Sequence, residues 1–409
     1  MMENKKKNSP AALDKRPLGI YLHIPFCVKK CLYCDFLSMP ATDETIEAYV
    51  EALCGQIRLE APGFVDYRVN TVFLGGGTPS LLSGEQLEKI FKTLFAAFEV
   101  EKGAEITMES NPGTLTAQKL ESYKKAGVNR LSMGLQSSED ELLKSLGRIH
   151  TWSEFLENFQ AARAAGFSNI NVDLMSALPG QTLSEWMRTL KKVADLEPEH
   201  ISAYSLIIEE GTPFYERYGD EKETDLYPAL PDEEEERQMY TQTKEFLESR
   251  GYHRYEISNY AKEGRECCHN VGNWNRTEYL GFGIGAASLV DNCRFRVIEE
   301  LPVYLETLEK LQDTGEKQAL WEALHEPVQR LSRQEQMEEF MFLGLRLTEG
   351  IRTDNFDRQF GQDIWEIYGD VLEKLEKQKL IIFSEERKNI RLTLRGVDIS
   401  NYVLAQFLL

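Results

Sequence analysis

The sequence predicts an α/β protein: an open, barrel-like (β/α)6 layer over roughly the first 250 residues, then an α+β region. Three observations predict it. Strand-like runs alternate with helical patterns six times before residue 210, each run ends in polar or glycine-rich residues, and the rhythm stops near Gly251. A chain of 409 residues is also too long for one small core, so two domains are expected.

Residues 1–16, "MMENKKKNSPAALDKR", have a basic opening but no apolar core of signal-peptide length, and read as a disordered leader. The first domain spans residues 17–250. Its strand runs are "GIYLHIPF", "TVFLGGG", "EITMES", "RLSMGLQ", "NINVDLM" and "HISAYSLI". Helical patterns lie between them at residues 45–59, 84–98, 115–126, 154–165 and 183–196. In such sheets ligands sit at the C-terminal strand ends. The acidic run "PDEEEERQMYTQTKEFLES" reads as a helix with a charged face rather than a linker.

The second domain spans residues 251–409. "YHRYEISNYA" alternates like a strand, and "GFGIGAASLV" is a glycine-rich segment that can bring backbone close to a neighbour. Beyond Leu301 the chain turns helical. It ends, over about residues 335–409, in a helix–helix–hairpin pattern shaped like a small winged-helix module. That shape invites a nucleic-acid reading, but its charges are mixed and no basic stripe stands out.

Hydrophobic residues make up 42% of the chain and charged residues 28%, an ordinary balance for a globular protein. The formal net charge is −20, from 47 Lys+Arg against 67 Asp+Glu, which argues against nucleic acid as a partner. No run of about 18 apolar residues appears, so nothing spans a bilayer, while peripheral membrane contact stays open. Seven unevenly spaced cysteines do not read as a disulfide framework; reduced thiols in a cytoplasmic protein fit better.

Three of those cysteines crowd into "YLHIPFCVKKCLYCDF" as C-x₃-C-x₂-C: Cys27, Cys31 and Cys34, on a loop just after the first strand. A structural zinc site draws on two close pairs or on added histidines. No second pair is present, and Cys54 falls within a helix, where burial suits it. Three thiolates from one loop can instead hold three irons of a [4Fe–4S] cube and leave the fourth iron open. At the other strand ends, Gly75, Gly76 and Gly77 close the second strand, Glu109 the third, Gln136 the fourth and Asp173 the fifth. Arg148, in "SLGRIH", can pair a carboxylate. Each alone suits a turn, cap or surface position; their recurrence at successive strand C-termini points to a ligand cradle.

The cysteine loop resembles that of the radical S-adenosylmethionine family, whose fold is a partial TIM barrel. "YLHIPFC", "CLYCDF", "GGGTPS", "ESNP", "GLQS" and "LPGQT" together resemble the branch that holds oxygen-independent coproporphyrinogen III oxidase and its HemW-type relatives. The resemblance implies that S-adenosylmethionine chelates the open iron. It implies contacts to one or two such molecules from Tyr21, Tyr33, Gly76, Gly77, Thr78, Glu109, Gln136, Arg148, Asp173 and Ile207. It further implies reductive cleavage of the sulfonium to methionine and a 5′-deoxyadenosyl radical, with flavodoxin or ferredoxin as electron donor.

Within that branch two readings compete. The oxidases carry C-x₃-C-x₂-C-x-C and a longer N-terminal extension; here Phe36 occupies the fourth thiol's place, and apolar burial is its natural role. HemW-type proteins, which resemble the oxidases but act as heme chaperones, carry H-N-x-x-Y-W. The stretch "CCHNVGNWN" offers His269, Asn270 and Trp274, with Asn273 where tyrosine is expected. His269 is the candidate heme ligand, with Cys267 and Cys268 as thiol alternatives and Trp274 to pack on a macrocycle. His23 is expected to face the barrel interior, while His253 and His325 have no context that sets them apart. The preferred expectation is heme binding and delivery to acceptor proteins, respiratory ones among them; the alternative is a radical enzyme that oxidises a porphyrinogen.

Overall fold

The computed structural model describes residues 15–219, 227–314, 317–384 and 386–409. Up to residue 14 the expected leader lies outside the described residues, while Arg16 already opens the first strand. Six strands run in sequential order and parallel: β1 (Arg16–Ile24), β2 (Tyr67–Gly76), β3 (Val100–Ser110), β4 (Arg130–Gln136), β5 (Ile170–Ser176) and β6 (His200–Ser205). Helices α1 (Asp43–Glu60), α2 (Gly84–Ala97) and α3 (Ala117–Ala126) return the chain between the early strands. A short α4 (Asp140–Ser145), then α5 (Trp152–Ala164) and α6 (Leu183–Ala194), do so for the later ones. This is the expected partial (β/α)6 barrel: the six strands and the five expected helices begin and end within five residues of their sequence-based bounds, while the short α4 had no counterpart in the sequence pattern.

Local chemistry sets the boundaries. Ser83, Thr151 and Thr182 each start a helix with a capping box, their side chains accepting from the third backbone N–H while Gln86, Glu154 and Glu185 reach back. The acidic run forms α8 (Glu233–Ser249), capped by Asp232 and preceded by α7 (Pro213–Tyr218). Four carboxylates in its first turn face the positive helix end.

Strand alternation then divides the barrel into two environments. Leu18, Ile20, Leu22 and Ile24 are fully buried with Val72, Leu74, Leu131, Met133, Val172 and Leu174 in the core between sheet and helices. The intervening residues, among them Phe73, Glu109, Ser132, Asp173, Ser202 and Tyr204, line a cavity inside the barrel.

The rhythm changes at Gly251, but the sheet continues. β7 (His253–Arg254) and β8 (Asn259–Ala261) extend it antiparallel beyond β6. After α9 (Cys268–Trp274), β9 (Tyr279–Phe282) returns parallel to β1, and β10 (Ala287–Val290), β11 (Cys293–Arg296) and β12 (Gln329–Arg330) follow it outward. "YHRYEISNYA" is thus two short strands around a turn rather than one. The main core takes in residues from Leu18 to Leu324, and a second, separate core runs from Met337 to Phe407. The latter belongs to a helical module carrying a three-stranded antiparallel sheet of Ile351–Arg352, Asn389–Leu392 and Ile381–Phe383.

Candidate functional site

The loop after β1 carries Cys27, Cys31 and Cys34, all free thiols of intermediate exposure. The loop is pinned from several sides. Cys27 N–H donates to Met39 O at 3.0 Å, Leu32 N–H to Leu146 O at 3.0 Å, and the Cys27 thiol meets Thr78 Oγ1 at 3.3 Å. Gly77 N–H and Thr78 N–H bond to Ile24 O and Phe26 O at 2.8 and 2.7 Å, so the glycine turn ending β2 lies flat against the loop's root. A Cβ on Gly77 would stand 2.7 Å from Phe26 O, which is why glycine is required there. Burial pushes the Cys34 thiol up to about 11.

All three cysteines open onto a cavity of about 500 Å³ inside the barrel mouth. Of the residues expected to form the cradle, Tyr33, Gly76, Gly77, Glu109, Gln136, Arg148, Asp173 and Ile207 line it too. Tyr21 and Thr78 do not. Tyr21 stands behind Phe73, its ring stacked at 6.3 Å and its hydroxyl paired with His23 Nδ1 at 3.0 Å. Thr78 is buried beside a small adjoining void that it shares with Cys31 and Arg148. His23 is buried with its Nε2 on Leu37 O at 2.8 Å, and it does not line the cavity. Ile207 sits at the rim, 67% exposed. Phe36 lines the cavity as well but is 59% exposed, so the apolar burial expected for it does not occur: at the open edge of the cavity no apolar side chain packs over the ring enough to cover it.

Two groups in this cavity are short of partners. Among the described residues Glu109 accepts one hydrogen bond, from Gly76 N–H at 3.2 Å; burial and the nearby Asp173 carboxylate push it up to about 8. Arg148 donates to Asn111 Oδ1 at 2.8 Å and to Gly134 O, reaches Cys31 Sγ at 3.8 Å, and keeps a buried Nε with no partner among the described residues. A carboxylate in need of a cation and a guanidinium facing thiols fit an ammonium-bearing ligand beside an anionic cluster. The donor set fits a cube as well. Among the described residues no three His, Cys, Asp or Glu side chains converge on a single ion, whereas a cube seats each thiolate on its own iron.

Sequence reasoning missed the polar network behind the cavity. Asp173 accepts from Ser132 Oγ at 3.0 Å and Asn171 Nδ2 at 2.7 Å; His200 Nδ1 meets Asn171 Oδ1 at 2.6 Å, and Tyr204 donates to Gln136 Oε1 at 3.2 Å. Asn111 bridges Arg148 and Thr78. The available signal was the alternation of Arg130, Ser132 and Gln136 on β4, Asn171 and Asp173 on β5, and His200, Ser202 and Tyr204 on β6, with the asparagine two places beyond Glu109.

His269 lies elsewhere. Helix α9 closes the N-terminal end of the barrel, where the Glu105 carboxylate caps it by accepting from Cys268 N–H at 3.0 Å and His269 N–H at 3.1 Å. The imidazole is 6% exposed, meets Thr71 Oγ1 at 2.9 Å, and packs on Phe73 at 5.2 Å; burial lowers it to about 4. Asn270 lines the barrel cavity, while Cys268 and Trp274 line a separate cleft. Cys267 is fully buried and pushed up to about 12 by that burial.

Comparison with known proteins fits this geometry. The family model described as Radical SAM superfamily matches residues 21–193, and that of the HemN C-terminal domain matches residues 331–399. The superfamily implies a [4Fe–4S] cluster and S-adenosylmethionine. Heme chaperone HemW of Bacillus subtilis is 37% identical over 95% of this chain and 98% of its own. That of Lactococcus lactis is 34% identical over 97% and 98%. The solved radical SAM coproporphyrinogen III oxidase (HemN) of Escherichia coli superposes with a TM-score of 0.80 at 25% identity, covering 97% of this chain and 91% of that one. Because the identity to the two chaperones runs nearly end to end, this chain belongs to the heme chaperone HemW family, within the Radical SAM superfamily.

Proposed function

We propose that this chain binds heme and hands it to acceptor proteins, respiratory ones among them, and that the cluster and S-adenosylmethionine serve that transfer. The observation that carries the reading is the end-to-end identity to proteins named heme chaperones, 37% over 95% of the chain for Bacillus subtilis. Cys27, Cys31 and Cys34 would hold the cluster, and Glu109 would accept from the cofactor's ammonium. Gly76 and Gly77 give close backbone approach, Arg148 balances charge beside Cys31, and Gln136 and Asp173, fixed by their hydrogen-bond partners, orient what enters. Tyr33, packed on Phe214, and the exposed Ile207 close the rim against water. Thr78 and Tyr21 act one layer back, the first on Cys27 and the second through Phe73. When bound, the cluster and S-adenosylmethionine would supply one-electron reduction of a sulfonium, with flavodoxin or ferredoxin as electron source.

The proposal places the protein in the cytoplasm with peripheral membrane contact during delivery; no helix among the described residues is long and apolar enough to cross a membrane. It assigns residues 17–250 to the cofactor and residues 251–409, with their winged-helix-like end, to heme and acceptor. A second reading, porphyrinogen oxidation, draws on the superposition with the oxidase. One experiment separates them. Anaerobically reconstituted protein is titrated with hemin and, in parallel, incubated with coproporphyrinogen III, S-adenosylmethionine and reductant. Saturation near one heme per chain without decarboxylation is expected; turnover to protoporphyrinogen overturns the chaperone reading.

A further inference from the structure

A cleft of about 1600 Å³ lies on the far side of α9 from the barrel cavity, walled by α9, β7 and the C-terminal module. Its charge is opposite to that of the chain. Among the described residues, five arginines and no lysine line it, against two glutamates and no aspartate, in a protein whose formal net charge is −20. The arginines are unevenly committed. Arg276 is bound to Glu339 at 2.9 Å, Arg254 donates to Tyr240 OH at 2.7 Å, and Arg352 and Arg358 share Asp354. Arg391 is exposed and has no ion-pair partner among the described residues. The remaining wall is largely apolar, with Trp274, Phe340 and Leu347 in it. The Trp274 Nε1 is buried without a hydrogen-bond partner among the described residues, and Arg346 stacks on the indole at 4.5 Å. Such a surface suits a ligand with a broad apolar body and carboxylates at one edge.

A donor for iron stands at the same wall. His253, 46% exposed at its side chain, lines the cleft; its Nε2 meets Glu266 Oε1 at 2.6 Å, and among the described residues Nδ1 has no partner. A carboxylate on one ring nitrogen orients an imidazole and raises the basicity of the other. The neighbouring Cys268 thiol is the poorer donor, since burial and Glu105 push it up to about 11. His269 is enclosed by Thr71 and Phe73 on the barrel side of the helix.

We propose that heme is carried in this cleft, outside the barrel, with His253 as axial ligand to its iron and Arg391 pairing a propionate. The inference rests on the heme-chaperone reading and gives the cargo a place separate from the cluster cavity.

The test is a hemin titration of the full-length, anaerobically reconstituted protein, followed by Soret difference spectra and electron paramagnetic resonance of the ferric form. His253→Ala is expected to shift the Soret maximum and weaken binding about tenfold or more. Arg391→Glu is expected to weaken hemin about tenfold, yet leave the dimethyl ester of hemin, which lacks the anionic edge, unaffected. The inference is overturned alone if wild type saturates while both variants match it in spectrum and affinity. It is equally overturned if Cys268→Ser or His269→Ala, and not His253→Ala, moves the Soret band. Wild-type protein that never saturates removes the chaperone reading itself, and this inference with it.

Discussion

Glu109 gives the most quantitative test of the barrel cavity. Its carboxyl has one hydrogen-bond partner among the described residues and is pushed up to about 8 by burial and by Asp173. A carboxyl titrating there is ionised in about a hundredth of molecules at pH 6, about a tenth at pH 7 and about half at pH 8. Only the ionised form can pair the ammonium of S-adenosylmethionine, so affinity should rise about ninefold from pH 6 to 7 and about fivefold more to pH 8. Glu109→Gln keeps the shape without the titration and should bind more weakly at pH 8, with little change across the range. Equilibrium dialysis of S-adenosylmethionine against reconstituted protein at the three pH values measures this. A flat wild-type profile, or a slope that survives in the glutamine variant, refutes the reasoning. Stability carries its own sign. The folded value lies above the ordinary 4.5, so the group favours the folded state fully only below about 4.5 and loses that contribution as pH rises through 8. Glu109→Gln should therefore stabilise ligand-free protein at pH 8, by less than about 4 kcal/mol because the carboxyl borders the cavity instead of sealed protein.

Replacing any one of Cys27, Cys31 or Cys34 with alanine should abolish stoichiometric iron and sulfide after anaerobic reconstitution; zinc in place of iron in wild-type protein would contradict the cluster assignment. Glu339 joins Arg276 at 2.9 Å and Arg294 at 2.7 Å, tying the C-terminal module to the barrel. Glu339→Ala strands both cations and should cost about 2–4 kcal/mol in urea unfolding. Phe36→Ala, at an exposed ring, should change unfolding free energy by less than about 0.5 kcal/mol; a loss of 3 kcal/mol or more, as for a core phenylalanine, would show that the ring is buried in solution.

The barrel was legible because its strands and helices announce themselves locally. Apolar periodicity, Ser and Thr caps and glycine-ended strands fix each unit without reference to its neighbours. The cysteine loop was legible for the same reason, since its chemistry lies within eight residues. What hid was long-range. Arg130, Asn171 and His200 are unremarkable in sequence, and only closure of the barrel turns them to one interior. His253 has no local motif either; its interest depends on Glu266, brought beside it by the β7–β8 hairpin, and on a module whose core begins more than eighty residues later. Phe36 shows the converse, an apolar side chain that tertiary structure leaves in the open. The continuous sheet likewise overrides the change of rhythm at Gly251, because β9 pairs with β1 by contacts no local pattern encodes.

Helix α9 presents Asn270 to one chamber and Cys268, Val271 and Trp274 to the other. It is a partition only seven residues long, anchored at its start by a carboxylate from β3. The two compartments thus share about two turns of backbone, and a tilt of so short a wall would enlarge one at the expense of the other.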